Sequence, residues 1–129
     1  MKKSDVDSFE KVKVQLDSLH AEMSVLAKKA PDGATNAFKI KLINVTLDQC
    51  NKLLGKKNRP FDDFELFDPD ELPSNSDVTF IISQYIECAE KFRTDNIFRY
   101  QAFWYWKIDG EASDKPSMRT LMPKKLEQK

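Results

Sequence analysis

Few residues of this chain are equipped for covalent chemistry. His20 is the sole imidazole, and Cys50 and Cys88 are the two thiols in 129 residues. A Cys-His or Ser-His-Asp nucleophile needs its groups side by side, with a third residue orienting the base. His20 is distant in sequence from both cysteines, and nothing local supports such an arrangement. Each cysteine falls on an apolar helix face, so both read as buried free thiols rather than as a disulfide or a metal pair. His20, beside Asp17 and Glu22, reads as a partly exposed structural imidazole, because no cluster of nitrogen or sulfur ligands accompanies it.

The carboxylates are more numerous. Asp62, Asp63, Glu65, Asp68, Asp70 and Glu71 crowd one segment and resemble calcium ligands in their alternation. A calcium loop needs a glycine at its central turn, and here prolines 60, 69 and 73 interrupt the segment instead. As acid-base pairs these residues have no supporting histidine or glycine-rich loop, so they read as solvated acids. Gly33, Gly55 and Gly110 are isolated, which leaves no phosphate-binding loop and no dinucleotide fingerprint. The expectation is a protein that is not an enzyme, with no catalytic, cofactor-binding or metal-ligating residues and no cofactor.

What remains is binding. Six of the fourteen aromatic residues, Phe98, Tyr100, Phe103, Trp104, Tyr105 and Trp106, fall within nine positions. The tail behind them mixes Met118, Leu121, Met122 and Leu126 with Arg119, Lys124, Lys125 and Lys129. Methionine, leucine, aromatic and arginine side chains are the usual anchors of protein interfaces. The alternative is nucleic acid, with Arg99, Tyr105 and Lys107 on one strand face, aided by Arg119, Lys124 and Lys125. A net charge of zero weighs against that alternative. The leading function is therefore a protein-interaction module, an accessory or regulatory subunit binding a larger protein or itself. Its candidate contact residues are Arg99, Tyr105, Lys107, Met118, Arg119, Leu121, Met122, Lys124 and Lys125.

These residues need a scaffold, and the hydrophobic pattern supplies one. With 40% hydrophobic and 33% charged residues the chain has a globular composition, long enough for one core without metal or disulfide. No apolar run reaches membrane length, and the opening Met1-Lys2-Lys3-Ser4-Asp5 leads into an amphipathic pattern rather than a signal peptide, so a cytoplasmic protein without membrane contact is expected. Phe9, Val12, Leu16, Leu19, Met23, Leu26 and Ala30 recur by three and four, predicting a helix from Asp5 or Asp7 to Lys29. That seam serves either a homodimer through the first helix or an intramolecular hairpin. Pro31-Asp32-Gly33 turns the chain straight into a second helix, which favours the hairpin.

The second helix starts near Thr35 or Asn36 and ends at Leu54, with Gly55 as terminator. Ile40, Ile43, Leu47, Cys50 and Leu54 form its stripe; Phe38, Leu42, Val45 and Leu53 broaden it, predicting burial on more than one side. Residues 56–76 form an acidic aromatic connector, with short helical turns expected at Pro60 and at Asp68-Pro69-Asp70-Glu71. Phe61, Phe64 and Phe67 within it are expected to plug the bundle while the acids face water. Residues 77–96 form a central helix whose band of Val78, Ile81, Ile82, Tyr85, Ile86, Cys88, Ala89 and Phe92 is wide enough for two neighbours.

In residues 97–129, alternation over Phe98–Ile108 followed by Asp109-Gly110 predicts one strand entering a hairpin, with the basic tail as its return strand or a loose arm. A helix joining Ile97, Tyr100, Trp104 and Ile108 is the alternative. The whole is a single mainly α domain: an antiparallel helix hairpin (1–55), the connector, a third central helix, and a short C-terminal β-strand or hairpin.

Charge divides along the chain. Residues 28–59 hold eight basic residues against Asp32 and Asp48, a net +6, and residues 60–77 hold seven acids and no base, a net −7. Either the two segments fold together and neutralise each other, or each is a docking surface for a partner of opposite sign.

Overall fold

Helix α1 spans Lys3–Lys29, α2 Ala37–Asn58 and α3 Asn75–Asp95 in a computed structural model that describes residues 1–127. Strands β1 (Ile97–Tyr100), β2 (Phe103–Trp106) and β3 (Arg119–Thr120) follow, then the single turn α4 (Lys124–Glu127). The protein is mainly α, a three-helix bundle with a small antiparallel sheet in the order β1-β2-β3. Lys129 lies outside the described residues.

Helices α2 and α3 begin at residues that cap them, whereas α1 starts at Lys3, ahead of the expected Asp5 or Asp7. The Asn36 side chain accepts the Lys39 N–H at 2.8 Å, and the Ser74 hydroxyl accepts the Asp77 N–H at 3.2 Å, satisfying amino-terminal donors that no helical carbonyl can reach. At the other end of α2, Gly55 leaves helical geometry at φ +70°, after which one further turn reaches Asn58.

Pairings along the helices fix their directions. Lys39 of α2 meets Glu22 of α1 at 2.7 Å, and the Thr79 hydroxyl of α3 donates to the Met23 carbonyl at 3.1 Å. Lower down, Phe9 packs on Phe92, 5.6 Å between ring centroids. Thus α1 runs antiparallel to both α2 and α3, and α2 and α3 are parallel neighbours. Parallel helices need a return connection, and that is the work of residues 59–74. Asn44 of α2 grips the Phe67 backbone both ways, donating to its carbonyl at 2.8 Å and accepting its N–H at 2.9 Å; Asn51 donates to the Glu65 carbonyl at 3.0 Å. Phe64 and Phe67 pack half-buried on the core, edge to face at 5.0 Å, while Asp62, Asp63, Glu65, Asp68, Asp70 and Glu71 are exposed.

The seam predicted for α1 lies inside the chain: Phe9, Val12, Leu16 and Met23 are buried with Val6 against α2 and α3, so the surface a first-helix dimer would use is already filled. Several expectations change. Phe38, Leu42 and Val45 do not broaden the buried face of α2; they are 70%, 47% and 53% exposed, because α1 and α3 cover only the opposite stripe. No helix forms at Pro60, and at Asp68–Glu71 there is one turn, closed by the Glu71 N–H on the Asp68 carbonyl at 3.2 Å. The connector does fold back on basic α2, but through asparagine amides. Among the described residues, Arg59–Glu65 at 2.9 Å is the one ion pair that joins the two charged segments.

Residues 97–108 are strand, as the alternation predicts, but two strands rather than one. The chain reverses first at Gln101-Ala102, where Gln101 has φ +56°. The expected turn at Asp109-Gly110 also forms, with Gly110 at φ +78° and the Glu111 N–H on the Ile108 carbonyl at 3.1 Å, and leads from β2 towards its return strand. Ile97 pairs with Trp106, Phe98 with Tyr105, Arg99 with Trp104 and Tyr100 with Phe103. Directly paired residues share a face, so Phe98 and Tyr100 join Phe103 and Tyr105 instead of the two tryptophans. The tail supplies β3, with Tyr105 opposite Arg119 and the Trp106 N–H donating to the Met118 carbonyl at 2.9 Å.

Candidate interaction groove

The last two turns of α3 carry Glu90 and Arg93, three residues apart and therefore on one face. Arg93 is 7% exposed, and each of its N–H directions is used. Its guanidinium meets the Glu90 carboxylate in a two-pronged pair at 2.8 Å and 2.8 Å, then donates to the Thr120 hydroxyl at 3.1 Å and to the Leu121 and Met122 carbonyls at 2.7 Å and 3.0 Å. Glu90 also accepts the Lys124 N–H at 3.1 Å. Burial alone would raise the Glu90 pKa; the hydrogen bonds from Arg93 and Lys124, with their charges, outweigh it and hold the carboxyl below its ordinary value. The tail, with only two residues in the sheet, is thus tied to α3 through residues 120–124.

Pinning this backbone turns its side chains outward. Leu121 is 74% exposed and Met122 42%. They form one wall of a groove of about 590 Å³, together with Arg119 and Lys124; α1 forms the other with Glu10, Lys13, Val14 and Asp17. The floor is Phe9 and Trp106, packed edge to face at 5.2 Å, with the indole N–H donating to Glu10 at 3.2 Å. On the α1 wall Lys13 pairs with Asp17 at 3.0 Å. On the tail wall Arg119 and Lys124 form no ion pair among the described residues. The groove is apolar at its centre, with positive charge along one rim.

The nine sequence-predicted contact residues separate into five places. Arg119, Leu121, Met122 and Lys124 come together in the groove, and Lys125 lines the adjoining hollow beside Lys91 and Asp95. Met118 is half-buried against the core. Tyr105 and Lys107 lie on the outer side of the sheet, whereas Arg99, paired with Trp104, belongs to the opposite face; the proposed alignment of Arg99 with Tyr105 fails because the chain turns between them. Glu90 and Arg93 escape the sequence reading. Their spacing of three at a helix end was the available signal, but it marks a common helical ion pair and says nothing of the tail carbonyls. The amides of half-buried Asn44 and of buried Asn51 and Asn75 give no periodic signal at all.

The reactive groups stay apart from the groove. Cys50 is buried, its thiol pushed up to about 12 by burial and by neighbouring Cys88, and both cysteines are free. Among the described residues no three His, Cys, Asp or Glu side chains gather around a point suited to a metal ion. No helix among them is long and apolar enough to cross a membrane. Comparison with protein-family models, with curated proteins and with solved structures gives no match.

Proposed function

We propose that this protein is a non-catalytic interaction module, an accessory or regulatory subunit that receives a segment of a larger partner protein in the groove between α1 and the tail. The observation that carries this reading is the pairing of exposed Leu121 and Met122 with a backbone fastened by Arg93 and Glu90. Apolar anchors on a pre-ordered backbone bind without the entropy loss of ordering a loose arm. The floor of Phe9 and Trp106 suits an apolar side chain, and the Arg119 and Lys124 rim suits a carboxylate beside it. The partner segment is therefore apolar with acidic flanks. Cytoplasmic residence belongs to the same reading, supported by the two free thiols.

The test is Leu121→Asp combined with Met122→Asp. Both side chains are exposed, so the unfolding free energy is expected to change by no more than about 0.5 kcal/mol for each, while binding of the partner is lost. Unchanged binding overturns the groove as the docking site. Truncation from Asp114 is a poorer test, because it also removes β3 and the acceptors that satisfy Arg93.

A further inference from the structure

The outer face of the sheet is a second surface, which shares Arg119 with the rim of the groove. Pairing places Phe98, Tyr100, Phe103 and Tyr105 on it together, and Ile97, the single aliphatic residue of the three strands, lies on the inner face with Trp106. The rings are half-buried to exposed rather than covered, with Tyr105 6.4 Å from both Phe98 and Tyr100. Two cations border them. Arg119, opposite Tyr105, lays its guanidinium 3.5 Å from the centre of the Phe103 ring, and Lys107 is exposed just beyond β2.

Several acids lie near these cations: the Asp95 carbonyl accepts from Lys107 at 3.4 Å and its carboxylate pairs with Lys91 at 3.1 Å. Glu111 accepts hydrogen bonds from the Ser117 hydroxyl and N–H at 2.6 Å and 3.0 Å, and Asp109 pairs with the terminal amine at 3.0 Å. Asp68, Asp70, Glu71 and Asp77 lie at the other end of α3, whose 21 residues span about 30 Å. That distance exceeds three Debye lengths of about 8 Å at physiological ionic strength. These four of the seven acids of residues 60–77 are therefore largely screened from this face, while Asp62, Asp63 and Glu65 follow Arg59 at the carboxy-terminal end of α2, Glu65 paired with it at 2.9 Å.

We propose that the outer face of the sheet binds single-stranded nucleic acid, stacking two or three bases on Phe98, Tyr105 and their neighbours and holding phosphates with Arg119 and Lys107. Aromatic faces without aliphatic neighbours suit bases, which present a π-surface whatever the sequence, and the flanking cations suit the backbone between them. The footprint is short and the binding insensitive to sequence.

Fluorescence anisotropy with labelled oligouridylate and oligothymidylate tests this on the intact chain. Binding is expected to weaken with salt at a log-log slope of about −1.4, two phosphate contacts at about −0.7 each. Tyr105→Ala is expected to weaken it about 10-fold or more while Tyr105→Trp retains it, and Lys107→Gln to reduce the slope by about half. Circular dichroism of each variant separates loss of binding from loss of fold. Leu121→Ser with Met122→Ser, which removes the groove anchors without adding charge beside Arg119, leaves this binding unchanged, so failure here and failure of the groove are distinguishable. Absence of binding, salt-independent binding, equal affinity for a blunt duplex, or tighter binding of an uncharged proline-rich peptide overturns the proposal.

Discussion

At the scale of single residues, Arg93 is the side chain on which the carboxy-terminal architecture depends. Its five N–H donors are matched by the Glu90 carboxylate, the Thr120 hydroxyl and two tail carbonyls, and among the described residues no buried side-chain polar atom lacks a partner. Arg93→Leu strands Glu90 as a largely buried, unpaired carboxylate, and removing one member of such a pair costs about 3–5 kcal/mol. Urea unfolding is expected to show that loss. Acid acts on the same node. Because the folded Glu90 pKa lies below its unfolded value, its contribution is fully present above the ordinary glutamate range near about 4.3 and disappears as pH falls through the folded value. Exchange protection of the 120–124 amides is therefore expected to hold at neutral pH and to fall below about pH 4; in Arg93→Leu it is already low at neutral pH. This node was illegible in the sequence because Arg93 reads there as a helix-end cation, and its partners are backbone carbonyls that any residues would supply.

At the scale of elements, the helices were legible and the connections between them less so. Heptad spacing in α1 and the Asn36 cap have a local physical cause and appear where the sequence predicts them; at Gly55 the chain leaves helical geometry as expected, but α2 resumes for one turn to Asn58. The reversal at Gln101-Ala102 has no such cause. Asp109-Gly110 carries the stronger turn signal and does turn between β2 and β3, but the chain also turns earlier because Ile97 and Trp106 must both reach the core. Gln101 meets that demand at φ +56°, a conformation unfavourable for a side-chain-bearing residue by about 1–2 kcal/mol. Gln101→Gly is accordingly expected to raise thermal stability by up to about 1 kcal/mol, and a lower melting temperature contradicts that account. The connector illustrates a second limit. Its composition marks it as distinct, but its path is set by Asn44 and Asn51, polar residues inside an otherwise apolar helix pattern. Asn44→Ala removes both bonds to Phe67, and limited proteolysis is expected to cut residues 60–72 faster while α1 resists.

For the whole molecule, the division of charge is a placement of surfaces. Acids line the connector on the α2 flank, while the cations Arg119, Lys124 and Lys125 lie on the tail, beside α1 and α3. Sequence composition showed the segregation but not its geometry, because the ion pairs that decide it are few. The groove was half legible: Arg119, Leu121, Met122 and Lys124 are readable as interface residue types, whereas Val14, Phe9 and Trp106, which complete it from elsewhere in the chain, required the fold. The stripe of Phe38, Leu42 and Val45 was misread because helical periodicity reports apolar faces and not how many neighbours exist to cover them. The most direct test of the groove is a nuclease-treated affinity capture from the native cell, made in parallel with the wild-type chain and the Leu121→Asp, Met122→Asp double variant, with bound proteins quantified by mass spectrometry. The account predicts one dominant, stoichiometric protein on the wild type that is lost from the variant. The same protein held equally by both, or a wild type that retains only itself, would contradict it.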